Sequence, residues 1–331
     1  MGSLSLKPYN TFGIDVNAYE IIEVKSVEEL LFIPHLSKCL FIGGGSNILL
    51  TKDVTQKVII NKIEGIETIN EDEDYIELEV ASGENWHELV LYCIENGYGG
   101  IENMSLIPGS VGAAPMQNIG AYGTEIKDVL TYVKAVHLDS LTEKRFQNEE
   151  CKFGYRESIF KKSLKGKYFI TEIGLKLTKR NHKLNTSYGD IENWLSEKDI
   201  DKPTIKDVSD AVIAIRRSKL PDPKELGNSG SFFKNPIIHR AHLNMLKMEY
   251  PDIKSYPVTD TLVKVPAGWL IETLGWKGRR VGRTGSHRKQ ALVLVNYGGA
   301  RGADVHRLAK DIQEDVWAEF QIELEMEVNI I

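Results

Sequence analysis

The chain has 331 residues, of which 42% are hydrophobic and 27% are charged, and its formal net charge is −6. This length and composition indicate a globular protein with two or three domains and room for a sizeable core. The acidic balance argues against bulk nucleic-acid binding, although it is compatible with local basic pockets for small anions.

The three cysteines, Cys39, Cys93 and Cys151, are far apart and show no C-x-x-C spacing. We therefore expect neither a disulfide framework nor a metal site, and we expect a reducing cytoplasm as the location. The first residues, MGSLSLKPYN, lack the apolar core of a signal peptide. No run approaches the roughly 18 apolar residues of a membrane span, so the sequence predicts no membrane association.

Strand and helix patterns alternate in the first part of the chain. CLFIGGGSNILL is an apolar run that enters a glycine turn, and YIELEVASG alternates apolar with acidic residues, as a half-buried strand does. ENWHELVLYCIENGYGG has apolar residues at helical spacing, with Gly97 placed to end the helix. YFITEIGLKLTK predicts a further strand.

A polar, loop-like segment at 181–206 separates this part from the next. The following DVSDAVIAIRRSKL predicts a helix, because Val208, Ala211, Val212 and Ile215 share one face, and the prolines of LPDP end it. We expect a domain boundary in this region.

The C-terminal region predicts a helix with Leu308, Ile312, Val316 and Phe320 on one face, followed by a closing strand, IELEMEVNII. Alternate residues of a strand share a side, so three glutamates of this strand would lie on one face. They are Glu323, Glu325 and Glu327. The mixture of elements indicates an α+β fold rather than a strict βαβ repeat.

GGGSN at 43–47, the glycine turn, follows a predicted strand. Consecutive glycines let backbone N–H groups approach a phosphate closely, and Ser46 and Asn47 can add side-chain hydrogen bonds. The spacing is not the Rossmann fingerprint, whose last glycine would stand at Ile48, and no Lys-Ser/Thr of a Walker loop follows. A phosphate-binding loop and a plain tight turn both remain open.

IPGSVGAAPMQNIGAYG at 107–123, the glycine-rich segment, is dominated by small residues and carries no charge. Flexible surface loops are usually charged or serine-rich. The composition therefore favours a backbone that lies against a large flat ligand or a tightly packed neighbour.

Basic residues suggest sites for anions. Arg156 stands in FGYRES, and an arginine fork suits a carboxylate, although a surface salt bridge is the commoner role. WKGRRVGRTGSHRKQ at 276–290 holds several basic residues and no acid, which fits either a phosphate-attracting patch or a solvated loop. Arg216, Arg217 and Lys219 form a second cluster, which can instead complement a helix dipole.

GNSGSFFKNP at 227–236 nearly matches the G-x-S-x-G elbow of serine hydrolases, but Ser231 stands where the final glycine belongs. No histidine is distinguished as a partner base, so a serine hydrolase is a weak alternative. The residue pattern leaves open whether Ser229 or Ser231 acts chemically. Gly230 would let the backbone approach a ligand.

Taken together, these stretches resemble the UDP-N-acetylenolpyruvoylglucosamine reductase family of bacterial peptidoglycan synthesis. The resemblance spans nearly the whole chain and rests on an ordered set of motifs: NTFGI, GGGSNIL, ASGENWHELV, IPGSVGAAPMQNIGAYG, FGYRES, SKLPDP, GSFFKNP, AGWLIE, ALVLVN and a final EV. NTSYGDI resembles the tyrosine-bearing loop of the type I branch. The chain departs from the family at Met326, where Pro is frequent, and at Ser229, where Ala is common.

The resemblance implies an α+β fold with an FAD-binding domain of the PCMH/vanillyl-alcohol-oxidase type in two subdomains. These are expected at 1–67 and at 68–210, the second including the Tyr188 loop, with a C-terminal substrate-binding domain at 211–331. FAD is the implied cofactor and NADPH the implied hydride donor. The residues implied to bind FAD are Gly43, Gly45, Ser46, Asn47, Pro108, Gly109, Ser110, Gly112, Ala113, Ile119 and Gly120.

The implied reaction reduces UDP-N-acetylglucosamine enolpyruvate to UDP-N-acetylmuramate. NADPH reduces FAD and leaves, and hydride then passes from flavin N5 to the terminal alkene carbon. By resemblance, Arg156 binds the substrate carboxylate, Ser231 donates the proton and Glu327 is the catalytic glutamate. Tyr188 is implied to close over bound substrate. Further candidates for contact with substrate or NADPH are Tyr122, Arg216, Lys219, Asn235, Tyr256, Lys277 and Gln290.

The expected protein is a cytoplasmic monomer with small-molecule partners and no nucleic-acid or membrane partner. One alternative is another FAD-dependent oxidoreductase of the PCMH class, against which GSFFKNP and the final EV argue. Another is a catalytically inactive sensor of the UDP-sugar, against which the three filled catalytic positions argue.

Overall fold

A computed structural model describes residues 4–331, which form two compact units. We call Ala18–Gly44 together with Thr55–Ser218 the central unit, and 4–17, Gly45–Val54 and Lys219–Ile331 the terminal unit. The division falls inside the glycine turn, after its second glycine. The sequence predicted three parts, whereas the structure divides into two compact units. The three-part division therefore stays a proposal.

The described residues contain seven α-helices and twenty short or medium strands. The helices are α1 (Val27–Leu31), α2 (Trp86–Glu95), α3 (Ile191–Ser196), α4 (Ile205–Lys219), α5 (Arg240–Glu249), α6 (Ala267–Thr273) and α7 (Gly302–Phe320). The strands are β1 (Leu4–Ser5), β2 (Asn17–Val24), β3 (Leu40–Ile42), β4 (Ile48–Leu49), β5 (Val54–Asn61), β6 (Ile66–Glu71), β7 (Tyr75–Ala81), β8 (Gly120–Ala121), β9 (Thr124–Glu125), β10 (Leu130–His137), β11 (Glu143–Gln147), β12 (Tyr168–Thr178), β13 (Gly227–Ser231), β14 (Ile237–His239), β15 (Tyr256–Pro257), β16 (Leu262–Lys264), β17 (Arg280–Val281), β18 (Thr284–Ser286), β19 (Val293–Asn296) and β20 (Asn329–Ile330).

An antiparallel sheet in the order β11-β10-β12-β7-β6 forms the largest part of the central unit. Its register places Val133 opposite Ile173 and Leu175 opposite Leu78, and all four side chains are fully buried. Burial of alternate residues is what a strand with one covered face requires. The strands predicted from YIELEVASG and YFITEIGLKLTK are confirmed as β7 and β12.

Helix α2 lies on the apolar face of this sheet and joins it in one buried cluster. The Asn85 side-chain oxygen caps the helix by accepting hydrogen bonds from the N–H groups of His87 and Glu88. Such a cap stabilises a helix by about 1 kcal/mol. Gly97 follows the helix with a left-handed φ of 73°, which an L-residue rarely adopts. The predicted helix and its end are confirmed.

The His87 imidazole fixes the residue before the glycine-rich segment. Its Nδ1 accepts a hydrogen bond of 3.0 Å from the N–H of Leu106, which has a left-handed φ of 58°. Burial lowers the pKa of His87; Glu88 opposes this shift, whereas Arg217 and Arg216 reinforce it. Only a neutral ring can accept this bond, and folding favours the neutral form.

We expect acid to destabilise the fold through His87. A histidine whose pKa is lowered on folding contributes stability above its unfolded pKa of about 6.5, and this stability is lost as the pH falls through the folded pKa. The free energy of unfolding in urea should therefore decline less between about pH 7.5 and about pH 5.5 in His87→Gln than in the wild type. The exposed His239→Gln should keep the wild-type decline. Equal declines in both variants would show that His87 does not carry the effect.

A second sheet of the central unit leads into the glycine turn. β3 and β5 pair in parallel, with Phe41 opposite Ile59, and β2 lies on the other side of β5. The end of β5 is a continuous buried run, as expected of a strand covered on both faces. Because β3 ends at Ile42, the glycine turn begins at the carboxyl end of this strand.

The terminal unit is built on the antiparallel sheet β13-β19-β18-β17, against which α7 packs. A smaller sheet, β14-β16-β15, packs with α5. β20 pairs in parallel with β4, placing Ile330 opposite Leu49. The chain end is thus tied to the segment that follows the glycine turn.

Both amphipathic helices predicted in the second half are present. α4 buries Val208, Ala211 and Val212, and it ends two residues before Pro221. α7 buries the predicted face of Leu308, Ile312, Val316 and Phe320. No helix among residues 4–331 combines the length and the apolar character needed to cross a membrane.

The closing strand predicted from IELEMEVNII is only partly correct. Residues 321–328, the closing segment, form a single bridge, between Met326 and Phe233, before β20 begins. Ile322 and Leu324 are buried and Glu323 is exposed, so the predicted alternation holds there. A longer ladder does not form on this side because the partner segment soon reaches Pro236, which has no N–H to donate.

Candidate active site

The two small-residue stretches predicted from the sequence meet within the central unit. A Cβ added to Gly43 would lie 2.2 Å from the Ser110 Oγ, and one added to Gly44 would lie 2.7 Å from the Gly109 Cα. Only glycine permits main chains to approach this closely. Gly44 is nevertheless exposed, and Gly43 and Gly109 are half-buried, so their main chain is accessible to a ligand.

The glycine-rich segment is held along its length and is not a flexible loop. Gly109 accepts a hydrogen bond of 3.0 Å from the N–H of Trp86, and the N–H groups of Val111 and Gly112 donate to Glu84 and Ser82. Val111, Ala114 and Ile119 belong to the buried cluster of the central unit. The same hydrogen-bonded backbone carries the remaining FAD candidates of this stretch, which are Pro108, Ser110, Ala113 and Gly120.

The second half of the glycine turn belongs to the terminal unit. Gly45 has a left-handed φ of 62°, and a Cβ there would lie 2.0 Å from the Tyr9 carbonyl oxygen. The Asn47 side chain donates to the carbonyl of Glu327 at 3.3 Å, and the Asn47 carbonyl accepts from Asn329 N–H at 3.0 Å. A predicted FAD residue and the predicted catalytic glutamate are therefore neighbours.

Arg156 stands in a tight turn against the glycine-rich segment. Gly154 and Glu157 exchange two backbone hydrogen bonds, of 3.0 and 3.2 Å, and Arg156 adopts a left-handed φ of 55°. One guanidinium nitrogen, Nη2, donates to the Gly120 carbonyl at 2.9 Å. Left-handed backbone in a residue other than glycine is costly and clusters at functional sites.

Two side-chain contacts that no sequence pattern predicted, one from an asparagine and one from a serine, hold this turn in place. The buried Asn118 donates from Nδ2 to the Gly154 carbonyl at 3.0 Å, and the Ser158 hydroxyl donates to the Met116 carbonyl at 2.6 Å. An amide within an apolar stretch is the signal that could have pointed to Asn118, because a buried amide must find partners.

Arg216 lies near Tyr122 and Arg156, also within the central unit. Burial lowers the pKa of Arg216; Tyr122 opposes this, and the Arg156 charge reinforces it. The Arg216 Nε is shielded from water and makes no hydrogen bond within the part of the chain described. Two close guanidinium groups favour an anionic ligand. Tyr188 is 49% exposed beside the Tyr122 turn.

Ser231 and Ser229 differ in their surroundings. Both lie in β13, where a bulge between Asn228 and Ser231 interrupts the pairing with β19. Ser231 is exposed, whereas Ser229 is buried and its hydroxyl has no hydrogen-bond partner among residues 4–331. The segment is a bulged strand and not the strand-to-helix elbow of a serine hydrolase.

We expect Ser229→Ala to be close to silent in catalysis and neutral or stabilising in the fold. A buried hydroxyl without a partner costs about 1–3 kcal/mol, so its removal relieves a penalty. The Tm should stay the same or rise, and flavin reduction and reoxidation should both remain near wild type. Severe loss in either half-reaction would identify Ser229 as the active serine.

Ser231 and Glu327 are brought together by main-chain pairing. Glu327 N–H donates to the Phe232 carbonyl at 2.8 Å, and Lys234 N–H donates to the Glu325 carbonyl at 2.9 Å. The buried Lys234 side chain also forms an ion pair of 2.5 Å with Glu325. Glu325 thus has a structural partner in the terminal unit.

Two further substrate candidates flank the start of α6. The Asn235 Oδ1 accepts from the N–H of Ala267 at 2.9 Å, and a Cβ on Gly268 would lie 3.2 Å from the Gln290 Oε1. The other substrate candidates of the terminal unit, Lys219, Tyr256 and Lys277, are exposed.

The basic cluster at 276–290 is largely engaged within its own unit. Lys277 forms an ion pair of 2.8 Å with Glu272, and Arg283 donates to the Gly299 carbonyl at 3.0 Å. Arg279 and Arg280 stack on aromatic rings. Four of the basic side chains thus have partners within the terminal unit, and the phosphate-attracting patch stays a prediction.

Two parts of the chain match sequence models of known families. Residues 21–142 match an FAD binding domain, and residues 222–331 match the C-terminal domain of UDP-N-acetylenolpyruvoylglucosamine reductase. A solvent-stable cholesterol oxidase shares the fold, with a TM-score of 0.50 at 10% identity over 98% of this chain and 86% of the other. The fold class is therefore an FAD-binding α+β fold with a second, reductase-type domain, as expected from the sequence.

Full-length relatives narrow this class to one family. The chain is 54% identical to a UDP-N-acetylenolpyruvoylglucosamine reductase of Flavobacterium johnsoniae, covering 99% of this chain and 98% of the relative. It is 46% identical to the same-named protein of Pseudomonas aeruginosa, with 98% and 97% covered. The crystal structure of that reductase (MurB) from Thermus caldophilus superposes with a TM-score of 0.70 at 25% identity, covering 99% and 98%. The chain belongs to the UDP-N-acetylenolpyruvoylglucosamine reductase family.

Proposed function

We propose that this protein catalyses the NADPH-dependent reduction of UDP-N-acetylglucosamine enolpyruvate to UDP-N-acetylmuramate in peptidoglycan precursor synthesis. The observation that carries the proposal is 54% identity over 99% of the chain to a reductase of this family. The match of residues 222–331 lies outside the FAD-binding domain and disfavours another oxidoreductase that shares only that domain.

The residues assigned to FAD fit a large cofactor with a diphosphate. The main chain of Gly43, Gly44 and Gly109 is accessible and carries no side chain that would obstruct it, and such backbone suits phosphate oxygens. We assign the diphosphate to Gly43, Gly45, Ser46 and Asn47, and the rest of the cofactor to the glycine-rich segment. When bound, FAD accepts a hydride from NADPH and delivers it to the substrate double bond.

The guanidinium groups of Arg156 and Arg216 bind anionic groups of the substrate. We assign the carboxylate of the enolpyruvyl group to Arg156, whose Nη2 is already oriented by the Gly120 carbonyl at 2.9 Å. A fixed cation stabilises charge as it develops on this carboxylate during reduction. Arg216, whose buried Nε makes no hydrogen bond with residues 4–331, gains one when an anion binds. Tyr122, Tyr188, Lys219, Asn235, Tyr256, Lys277 and Gln290 are assigned to the remaining substrate and NADPH contacts.

Ser231 donates a proton to the substrate carbon that does not receive the hydride. Its hydroxyl is exposed, and its main chain is fixed by the buried neighbour Phe232, whose N–H donates to Leu292 at 2.8 Å. A serine hydroxyl is a weak acid, but a carbanion-like enolate is a strong base, so the transfer is favourable. Glu327 is held next to Ser231, because its N–H donates to the carbonyl of Phe232. We assign its carboxyl group to a contact with the substrate carboxylate.

The test is to follow the two halves of the reaction separately. The purified protein should show a flavin spectrum, anaerobic NADPH should bleach it, and the enolpyruvyl substrate should restore it. Bleaching by NADPH without restoration by this substrate would contradict the proposed substrate. A colourless protein that cannot be reconstituted with FAD would contradict the whole assignment.

We propose further that the enzyme acts as a monomer in the cytoplasm on small-molecule partners. All three cysteines are free thiols, including the half-buried Cys39, which suits a reducing compartment. The net charge of −6 disfavours nucleic acid as a partner. Sedimentation at micromolar concentration tests the oligomeric state, and a dimer that persists on dilution would contradict it.

A further inference from the structure

Asn103 is a fully buried amide that links two separate loops of the central unit. It lies in a short 3-10 turn, Glu102–Met104, and is 1% exposed. Its Nδ2 group donates to the Tyr122 carbonyl at 3.0 Å and to the Asn185 carbonyl at 2.8 Å. An amide nitrogen has two hydrogens, so both are used on main-chain carbonyls of the two loops.

The second of these loops, residues 181–190, carries Tyr188 and has no regular secondary structure; we call it the tyrosine loop. Asn185 of this loop donates from its own side chain to the Gly123 carbonyl at 3.2 Å. The turn at Tyr122 and Gly123 therefore accepts one hydrogen bond from the buried Asn103 and one from Asn185 of the loop. These contacts hold the tyrosine loop at its middle, at Asn185.

The Tyr122 ring holds the loop near its C-terminal end. A Cβ on Gly189 would lie 3.3 Å from carbons of this ring, so the loop backbone lies directly on it. The ring also packs on the cluster of α3 and α4, and α3 begins at Ile191, two residues beyond Gly189. Tyr122 keeps a left-handed φ of 48°, a conformation that persists only where surrounding contacts enforce it.

Tyr188 lies between these two anchors and is itself 49% exposed. Ordering a loop when a ligand binds costs conformational entropy, and anchors that are present beforehand reduce this cost. We infer that Asn103 is a positioning residue that anchors the tyrosine loop, so that Tyr188 is presented to the substrate at low entropic cost. The kinetic part of this inference rests on the proposed function; the structural part does not.

Asn103→Ala removes both hydrogen bonds and should release the loop. Trypsin should cleave after the exposed Lys183 of the tyrosine loop faster than in the wild type, as followed by mass spectrometry. The KM for the enolpyruvyl substrate should rise about 5- to 30-fold, the effect of losing one to two kcal/mol, with a smaller change in kcat. In a Tyr188→Ala background the same substitution should change KM little, because the residue through which it acts is gone.

Asn148→Ala is the matched control. Asn148 also donates from Nδ2 to two main-chain carbonyls of the central unit, those of Lys127 at 2.8 Å and Leu130 at 2.6 Å, but it contacts neither loop. It should leave cleavage after Lys183 and KM unchanged. If Asn103→Ala folds poorly, Asn185→Ala should show the same changes to a smaller degree, because it removes the bond to Gly123 and a long bond of 3.5 Å from the Ser187 hydroxyl but leaves the Asn103 bonds in place.

Unchanged cleavage after Lys183 in both Asn103→Ala and Asn185→Ala would overturn the inference, as would an equal rise in KM with and without Tyr188. The cleavage measurement needs no substrate. An enzyme that lacks the proposed activity but shows faster cleavage would therefore refute the function and leave the anchor in place.

Discussion

Replacing Ser231 with alanine should slow reoxidation of the reduced flavin by the enolpyruvyl substrate by about 10²–10⁴-fold, the usual effect of losing a positioned proton donor. NADPH should bleach the flavin of the same variant at a rate near that of the wild type, because that step takes no proton from this side chain. Anaerobic stopped-flow absorbance measures each half separately.

The substitution is informative because it removes one oxygen atom from a well-supported strand. Phe232 and Phe233 beside it are 0% and 1% exposed, and their rings pack edge to face with centroids 5.3 Å apart. The backbone of β13 should therefore stay in place. Ser229→Ala is the control, since it deletes the same atom from a buried position two residues away.

Two outcomes for Ser231→Ala are diagnostic. Equal slowing of both half-reactions would indicate loss of structure or of a binding contact. It would contradict the assignment of Ser231 as the proton donor. Wild-type rates in both halves would show that another group, or a water molecule, supplies the proton. In the wild type, a solvent isotope effect confined to reoxidation of the flavin would support proton transfer from the Ser231 hydroxyl.

Local patterns in the sequence predicted the regular elements well. The four apolar residues of α7 and the alternation in β7 were sufficient because periodicity reports burial on one face. The closing segment shows the limit of this signal: Ile322 and Leu324 alternate with exposed glutamates, but periodicity cannot tell whether a partner strand offers donors along the whole length. Here the partner segment reaches Pro236, which has no N–H to donate, and the pairing stops.

Contacts between distant segments could not be predicted from residue patterns. The glycine turn and the glycine-rich segment were each interpreted as ligand-binding backbone, but nothing in either stretch indicated that Gly44 touches Gly109. Likewise, Arg156 was chosen for its chemistry, whereas its left-handed backbone and its bond to Gly120 depend on a turn closed by Glu157. The basic run at 276–290 left two interpretations open, and the partners of Lys277 and Arg283 within their own unit do not decide between them.

The choice between the two serines of β13 illustrates what burial adds. The residue pattern left Ser229 and Ser231 as alternatives, and only resemblance to the family favoured the second. The Ser229 hydroxyl is buried and has no hydrogen-bond partner in the described part of the chain, whereas Ser231 is exposed. A proton donor must reach its acceptor, so exposure supports Ser231 independently of the resemblance.

Gly44→Ala should produce a protein that retains little FAD. The added Cβ would lie 2.7 Å from the Gly109 Cα and 3.1 Å from its carbonyl carbon. Both are main-chain atoms that cannot rotate away, so the two segments must separate. Overpacking of this kind costs about 1–3 kcal/mol, and the displaced backbone is that assigned to the cofactor. The ratio of flavin to protein absorbance after gel filtration measures retention, and thermal unfolding of the apoprotein measures the effect on the fold.

Two other glycines of the central unit provide controls, because an added Cβ would meet a movable side chain at one and almost no obstruction at the other. Gly43→Ala conflicts with the Ser110 hydroxyl at 2.2 Å, which is the end of a side chain that can rotate, so it should lose less FAD than Gly44→Ala. Gly154→Ala places its Cβ no closer than 3.8 Å to Glu157 and should retain FAD as the wild type does. A Gly44→Ala protein that binds FAD normally would show that the close approach of these two segments is not needed for the cofactor. Equal loss of FAD in the Gly44→Ala and Gly154→Ala proteins would point to general instability of the central unit instead.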